Sequence, residues 1–314
     1  MKVVALAGGV GGAKLVHGLA MVLPPDELSI IVNTGDDFEY LGLNISPDLD
    51  TVCYTLANLA NPQTGWGKID ESWITFNEIA SLNGPDWFRL GDKDLATHLI
   101  RTAGLMRGQK LSEITKEFCK IWGIRHAIFP MSDDPVRTMV HTDEGKVLGF
   151  QEYFVHQACQ PIVDHFEFRG IETARPLPQV LDVVDSCDIV IVAPSNPWVS
   201  IDPILAIKGY RDAISKKTVI AVSPLIGGKA IKGPAAKIYQ ELGIEPCASA
   251  VAKHYQDLLT GFLFDNLDRN ELEKIERWRI IALVTDILMK NKQDRLRLAE
   301  EVLRFSETIL NRSR

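Results

Sequence analysis

The chain has no Cys-x-x-Cys pair, and its five cysteines, at 53, 119, 159, 187 and 247, are odd in number and scattered. That pattern excludes a disulfide framework and a zinc ribbon, and it fits free thiols used as packing residues in a reducing compartment. The seven histidines contain no His-x-x-x-His spacing, so none is assigned to a metal. No apolar run approaches the ~20 residues of a membrane span. The first such run follows Met1-Lys2 and breaks at Gly8-Gly9 without a signal-peptide layout, so the expectation is a cytoplasmic protein with no membrane partner. A broad basic face is missing too, since 34 Lys and Arg stand against 41 Asp and Glu for a net charge of −7. This argues against nucleic acid as a partner and requires locally placed positive charge for any anionic ligand.

What is present is an ordinary globular mixture, 46% apolar and 24% charged over 314 residues, enough to bury a large core. Short Val- and Ile-rich runs recur at 3–7, 28–33, 126–130, 188–193 and 218–223, and stretches of helical spacing lie between them at 14–22, 178–186 and 203–214. Continuous apolar runs suit strands buried on both faces, and the alternation is the signature of βαβ units. The expected fold is a single α/β domain over 1–314, Rossmann-like, with a doubly wound, mostly parallel sheet. Two insertions interrupt the rhythm. Residues 50–122 read as helices at 51–59, 73–82, 94–105 and 112–122, and residues 137–171 read as a β-rich excursion, a hairpin of strands at 137–142 and 146–155 around Asp143-Glu144-Gly145 extended by 166–171. Residues 294–310 carry a 3.6-residue apolar period and should close the chain as an amphipathic helix.

The first strand runs into Gly8-Gly9-Val10-Gly11-Gly12-Ala13-Lys14, where glycines let backbone N–H groups approach a phosphate at a helix start. Neither nucleotide fingerprint is complete: Leu15 follows Lys14, and the third glycine of G-x-G-x-x-G is missing. A tight turn without a ligand is the alternative. The second strand ends in Asn33-Thr34-Gly35-Asp36-Asp37, followed by Asn44-Ile45-Ser46-Pro47-Asp48-Leu49-Asp50-Thr51. Four carboxylates thus gather where open α/β sheets bind ligands, and Mg2+ shared with a diphosphate would neutralise them. Asp48 or Asp50 could instead cap the helix that follows. Arg89 and Lys93, beside Trp87 and Phe88, could hold a planar polar ligand or simply be solvated. Pro130-Met131-Ser132-Asp133-Asp134-Pro135 reads as a turn or a second contact loop. Pro194-Ser195-Asn196-Pro197 and Ser223-Pro224, with Lys229 and Lys232 beyond, should emerge at the same sheet edge as the glycine loop. Asn196 suits a purine edge, and Lys232 or Lys229 could supply positive charge.

Taken in order, Ala7 to Leu15, Asn33 to Asp37, Ile45 to Thr51, Leu90-Gly91-Asp92-Lys93-Asp94, Pro130 to Val136, Pro194 to Pro197 and Val222-Ser223-Pro224 resemble the 2-phospho-L-lactate transferase family over nearly the whole chain. The resemblance implies an enzyme of coenzyme F-420 biosynthesis. Such an enzyme moves a phospholactyl-type group from a guanosine diphospho-linked donor, lactyl-2-diphospho-5'-guanosine or an enolpyruvyl analogue, onto the terminal hydroxyl of the deazariboflavin Fo, forming F-420-0 and releasing GMP. It implies Mg2+ held by Asp36, Asp48 and Asp50, chemistry at Asp48 and Asp50, and Fo bound by Asp50, Arg89 and Lys93. Nucleotide contacts would come from Gly9, Gly11, Gly12, Lys14, Asp133, Ser195, Asn196, Ser223 and Lys232, and the expected assembly is a homodimer. Uridine-diphospho-sugar-binding regulators of the same fold are the competing reading, but the Gly/Ser-rich segment expected after their second strand is absent. A Rossmann dehydrogenase is disfavoured by the incomplete glycine fingerprint and by Asn33 where an acidic residue is expected.

Overall fold

Strands made of uninterrupted Val, Ile and Ala need cover on both faces, and the architecture provides it. The computed structural model describes residues 1–313. Seven strands make one sheet: β1 Val3–Ala7, β2 Leu28–Val32, β3 Ala127–Pro130, β4 Ile189–Val192, β5 Thr218–Val222, β6 Gly261–Asp265 and β7 Ile281–Thr285. All neighbours pair in parallel, in the order β3-β2-β1-β4-β5-β6-β7. Successive side chains go to opposite cores, as the pleat dictates. Val4, Leu6, Val190 and Val192 join one buried cluster, while Val3, Ala5, Ile189 and Ile191 join the other. The strand order reverses between β1 and β4, which opens a crevice beyond their carboxyl ends.

Helix α1, Gly9–Val22, leaves β1 directly and packs against α2, Pro47–Leu56, and against the C-terminal helix Lys292–Ser313. The second contact is close. A Cβ at Gly18 would sit 2.2 Å from the Arg295 carbonyl oxygen, so only glycine lets the two helices approach this far. The neighbouring His17 is 5% exposed, and burial, with Arg295 and Lys292 beside it, pushes its imidazole down to about 4. A depressed folded-state value means the contribution to stability is present above the unfolded value near 6.5 and is lost as pH falls toward 4. Melting curves of wild type and His17→Gln should therefore diverge across that window. The variant should gain roughly 2–4 °C on the wild type between pH 6.5 and 4, and parallel curves would exclude His17 as an acid-sensitive group.

Between β2 and β3 stand α2, α3 Ile74–Ser81, α4 Asp92–Met106 and α5 Leu111–Ile121, the helical insertion expected at 50–122. After β3, Arg137–Thr142 forms the middle strand of a three-stranded antiparallel sheet with Val147–Gly149 and Val163–Arg169. Two details differ from expectation. The strand expected to continue to residue 155 stops at Gly149, because Phe150 and Tyr153, three residues apart, turn into a local core through the π-helical turn Glu152–His156. The helix expected at 203–214 is two short ones, Asp202–Ala206 and Tyr210–Ile214, separated at Gly209 with φ +87. Among the described residues no helix is long and apolar enough to cross a membrane.

Candidate active site

A cavity of about 620 Å3 opens beyond the carboxyl ends of β1, β4 and β5. One wall is the turn after β1. Gly8 is extended at the start of α1, and Gly9 follows with φ +61, a conformation that costs other residues roughly 1–2 kcal/mol. The Gly9 N–H donates to Asp48 Oδ1 at 2.7 Å, while Val10 and Gly11, also on the wall, belong to the first turn, whose N–H groups lack intrahelical acceptors. The turn after β4 is tied to the first by Ser195, whose Oγ accepts from Gly8 N at 3.2 Å and donates to Gly8 O at 2.8 Å. Asn196 lies next to it, with Oδ1 accepting from Trp198 N and Nδ2 buried without a partner among the described residues. Lys14 donates to the Met289 carbonyl at 2.8 Å, and Lys232 donates to the Thr64 carbonyl. Both lysines line the cavity.

The insertions supply an aromatic wall. Trp66, Trp87, Phe88, Phe150 and Phe154 line it with Arg89. The Arg89 guanidinium stands 4.4 Å over the Trp73 ring, a cation–π arrangement that fixes its stem while its donors stay available.

The acidic residues divide into two sets. Asn33 Nδ2 has two hydrogens but faces three acceptors: Asp36 Oδ1 at 2.5 Å, Asp48 Oδ2 at 2.9 Å and the Val199 carbonyl at 3.0 Å. Burial raises Asp36 well above the usual carboxylate range, with Asp48 adding to it. Burial also lifts Asp48 to about 6 and Asp37 to about 7. Asp37 accepts from Ser46 Oγ at 2.7 Å. Two facing carboxylates that share one amide lack a hydrogen for full pairing, and a hard divalent cation is the partner such an oxygen set suits. Asp50 belongs elsewhere. Both of its oxygens are engaged by the buried Arg101. Ligand atoms of Asp50, Asp94 and His98 lie within 4.8 Å of one another, but the guanidinium already brings positive charge there. Neither Asp48 nor Asp50 caps α2: Asp48 accepts from the first amide of α1, and Asp50 pairs with α4.

Of the residues singled out from sequence, Gly9, Gly11, Lys14, Asp36, Asp48, Asp50, Arg89, Ser195, Asn196, Ser223 and Lys232 line this one cavity. Gly12 stands behind it, where a Cβ would meet Ser195 Oγ at 2.6 Å. The Ser223 hydroxyl is engaged within its own turn, donating to Leu225 O. Lys93 lies off the wall and donates to the Ile69 carbonyl at 3.0 Å. Asp133 also lies off the wall, accepting from Ser112 N and Oγ at the start of α5. Sequence reasoning assigned no role to Arg101 or His98, although their signal was readable. Asp94, His98 and Arg101 recur at helical spacing on the buried face of α4, where charge is rarely placed without a partner.

The strand order, the crevice at its reversal and the glycine turn define a Rossmann-like α/β protein. The sequence matches the family described as 2-phospho-L-lactate transferase CofD over residues 3–301. It is 40% identical over 316 residues to a phosphoenolpyruvate transferase of Streptomyces griseus, covering 98% of this chain and 99% of that protein. It is 38% identical over 297 residues to a 2-phospho-L-lactate transferase of Methanosarcina mazei, covering 95% and 98%. A solved UPF0052-family protein from Bacillus halodurans shares the fold with TM-score 0.61 at 14% identity, covering 96% of this chain and 98% of that one. The chain belongs to the 2-phospho-L-lactate transferase family, and with it to the transferases.

Proposed function

We propose that the chain transfers a phospholactyl- or phosphoenolpyruvyl-type group from a guanosine diphospho-linked donor to the terminal hydroxyl of the deazariboflavin Fo, with release of GMP, as a step of coenzyme F-420 biosynthesis. The observation that carries this reading is the mixed lining of one cavity. Glycine amides, two lysines and an unpartnered amide share it with aromatic rings, an arginine and carboxylates. The first group suits a purine nucleoside diphosphate, and the aromatic rings suit a flat heteroaromatic system.

In this reading the Fo hydroxyl oxygen attacks the distal phosphorus, the bond from that phosphorus to the bridging oxygen breaks, and GMP departs. The hydroxyl proton leaves late, passing to the Asp50 carboxylate, so positioning and charge neutralisation dominate. Lys14 and Lys232 face the diphosphate, Asn196 Nδ2 donates to the guanine edge, and Arg89 holds Fo against the aromatic wall. Asp50 accepts the hydrogen bond of the attacking hydroxyl and orients it. Asp36 and Asp48 are the residues that would hold Mg2+, whose contribution is to neutralise diphosphate charge.

A thermal-shift panel of GDP, ADP, a uridine-diphospho-sugar and NAD, each with and without Fo, tests the reading. GDP should raise the melting temperature more than ADP, and Fo should add to it. Equal shifts with GDP and ADP would remove the guanine assignment, and a response to the uridine-diphospho-sugar alone would replace the transferase reading with a regulatory one. Excess chelator should abolish turnover, and full turnover in its presence would remove the cation.

A further inference from the structure

Asp50 reaches the cavity from α2, and its carboxylate is held from behind by α4. Arg101 is 1% exposed and absent from the cavity wall. It sets Nη1 3.0 Å from Asp50 Oδ2 and Nη2 on Oδ1. The guanidinium is itself fixed, with Nη1 3.1 Å from His98 Nδ1 and 3.4 Å from the Asn44 carbonyl. Arginine offers only donors, so this contact is a hydrogen bond in the tautomer whose Nδ1 accepts and whose Nε2 carries the proton. That nitrogen lies 3.4 Å from Asp94 Oδ1, and Asp94 also accepts from the Tyr54 hydroxyl at 2.6 Å. A chain of buried polar contacts thus runs from α4 through Arg101 to Asp50, a carboxylate that stands apart from the Asn33 set.

We infer that Arg101 is a positioning residue for the transfer: its two-point grip aims the Asp50 carboxylate at the acceptor hydroxyl without itself touching either substrate. The inference rests on the reading of Asp50 as the carboxylate that orients this hydroxyl. A carboxylate joined to a helix by one methylene can turn about two bonds, and a grip on both oxygens removes that freedom. A misplacement of about 1 Å at the reacting groups costs roughly 100-fold in rate. Mere neutralisation of buried charge predicts something else, because lysine would serve as well. Lysine is a point charge and cannot reproduce the planar fork.

The experiment compares Arg101→Lys, Arg101→Met and the double variant Asp50→Asn/Arg101→Met in kcat, KM for Fo, GDP affinity by calorimetry, and melting temperature. Arg101→Lys should fold, bind GDP with nearly wild-type affinity and keep KM for Fo, while kcat falls roughly 30- to 100-fold. Arg101→Met should melt lower than wild type, and the double variant should melt above Arg101→Met, since the stranded carboxylate is gone. Wild-type kcat in Arg101→Lys would overturn the inference and leave the function reading intact. A kcat loss matched by loss of GDP affinity would also overturn it, since Arg101 would then support the fold of the whole site. A double variant that melts no higher than Arg101→Met would remove the pairing on which the inference stands. A wild type that makes no product from Fo would overturn the reading of Asp50 and the inference together.

Discussion

Asp50→Asn should lower turnover by about 100-fold or more while GDP binds with nearly wild-type affinity, the scale expected when an orienting or electrostatic contact at the reacting atoms is lost. Turnover at saturating Fo and Mg2+, with GDP calorimetry beside it, measures both arms. The near-isosteric amide alone would leave the fold untouched, but Arg101 changes that outcome. One Asn oxygen can still accept from the guanidinium, whereas the NH2 group would face an arginine N–H, donor against donor. Breaking a buried pair by removing one partner costs about 3–5 kcal/mol, so the variant should fold with a clearly lower melting temperature. The helix-capping alternative makes no such forecast, since asparagine caps as well as aspartate, and the Asp50 carboxylate is spent on α4 rather than on its own helix. Wild-type turnover in the variant would take Asp50 out of the chemistry and leave Asp48 as the acid nearest the donor loop. Simultaneous loss of GDP binding would place Asp50 on the donor side.

How much of this was legible from the residues follows from the range of each interaction. Strand β1 and the helix Pro178–Ser186 have the bounds expected from their apolar runs, because local pattern decides them. Gly9, Asp48, Asn196 and Ser223 share a cavity because parallel strands present their carboxyl ends on one edge, a rule that needs topology but no contact. β6 and β7 were not anticipated. β6 opens on a glycine, where a Cβ would crowd Ile220 and Ile309, and its Phe-Leu-Phe stretch lacks the Val/Ile run of the central strands, whereas β7 carries such a run, Ile280 to Val284, whose signal was readable in the sequence. Least legible were the partners. Asp50 and Arg101 are 51 residues apart, and Asp133 finds Ser112 across 21. In both cases the residue type announced a need for a partner, while only the packing of α4 and α5 chose which one. Gln151 comes within 3.5 Å of Asp36 only because the chain leaves its strand at Gly149, a break set by the local aromatic core.

Gly11→Ala should weaken GDP binding by about 10- to 100-fold, from a side chain that adds one methyl group and no charge. Its Cβ would lie 2.3 Å from the Pro194 carbonyl oxygen, closer than the 3.0 Å that real Cβ atoms keep, and the obstacle is backbone rather than a flexible side-chain end. α1 cannot yield easily, since α2 and the C-terminal helix pack against it. The Pro194 turn must therefore move, and Ser195 and Asn196 move with it. The Ser195 hydrogen bonds to Gly8 at 3.2 and 2.8 Å would stretch, and Asn196 Nδ2 would leave the place from which it meets the guanine edge. Overpacking of this kind costs about 1–3 kcal/mol. Where the displaced loop is also the ligand's wall, that cost appears in affinity at about tenfold per 1.4 kcal/mol. Gly149→Ala is the matched control, because a Cβ there meets nothing within 4 Å and no positive φ is involved, so GDP affinity and melting temperature should both hold. Calorimetry of the two variants decides the matter. A Gly11→Ala protein that binds GDP like wild type would mean the nucleotide does not lie between the glycine turn and the Pro194 turn, and the donor would have to be sought along the aromatic wall instead.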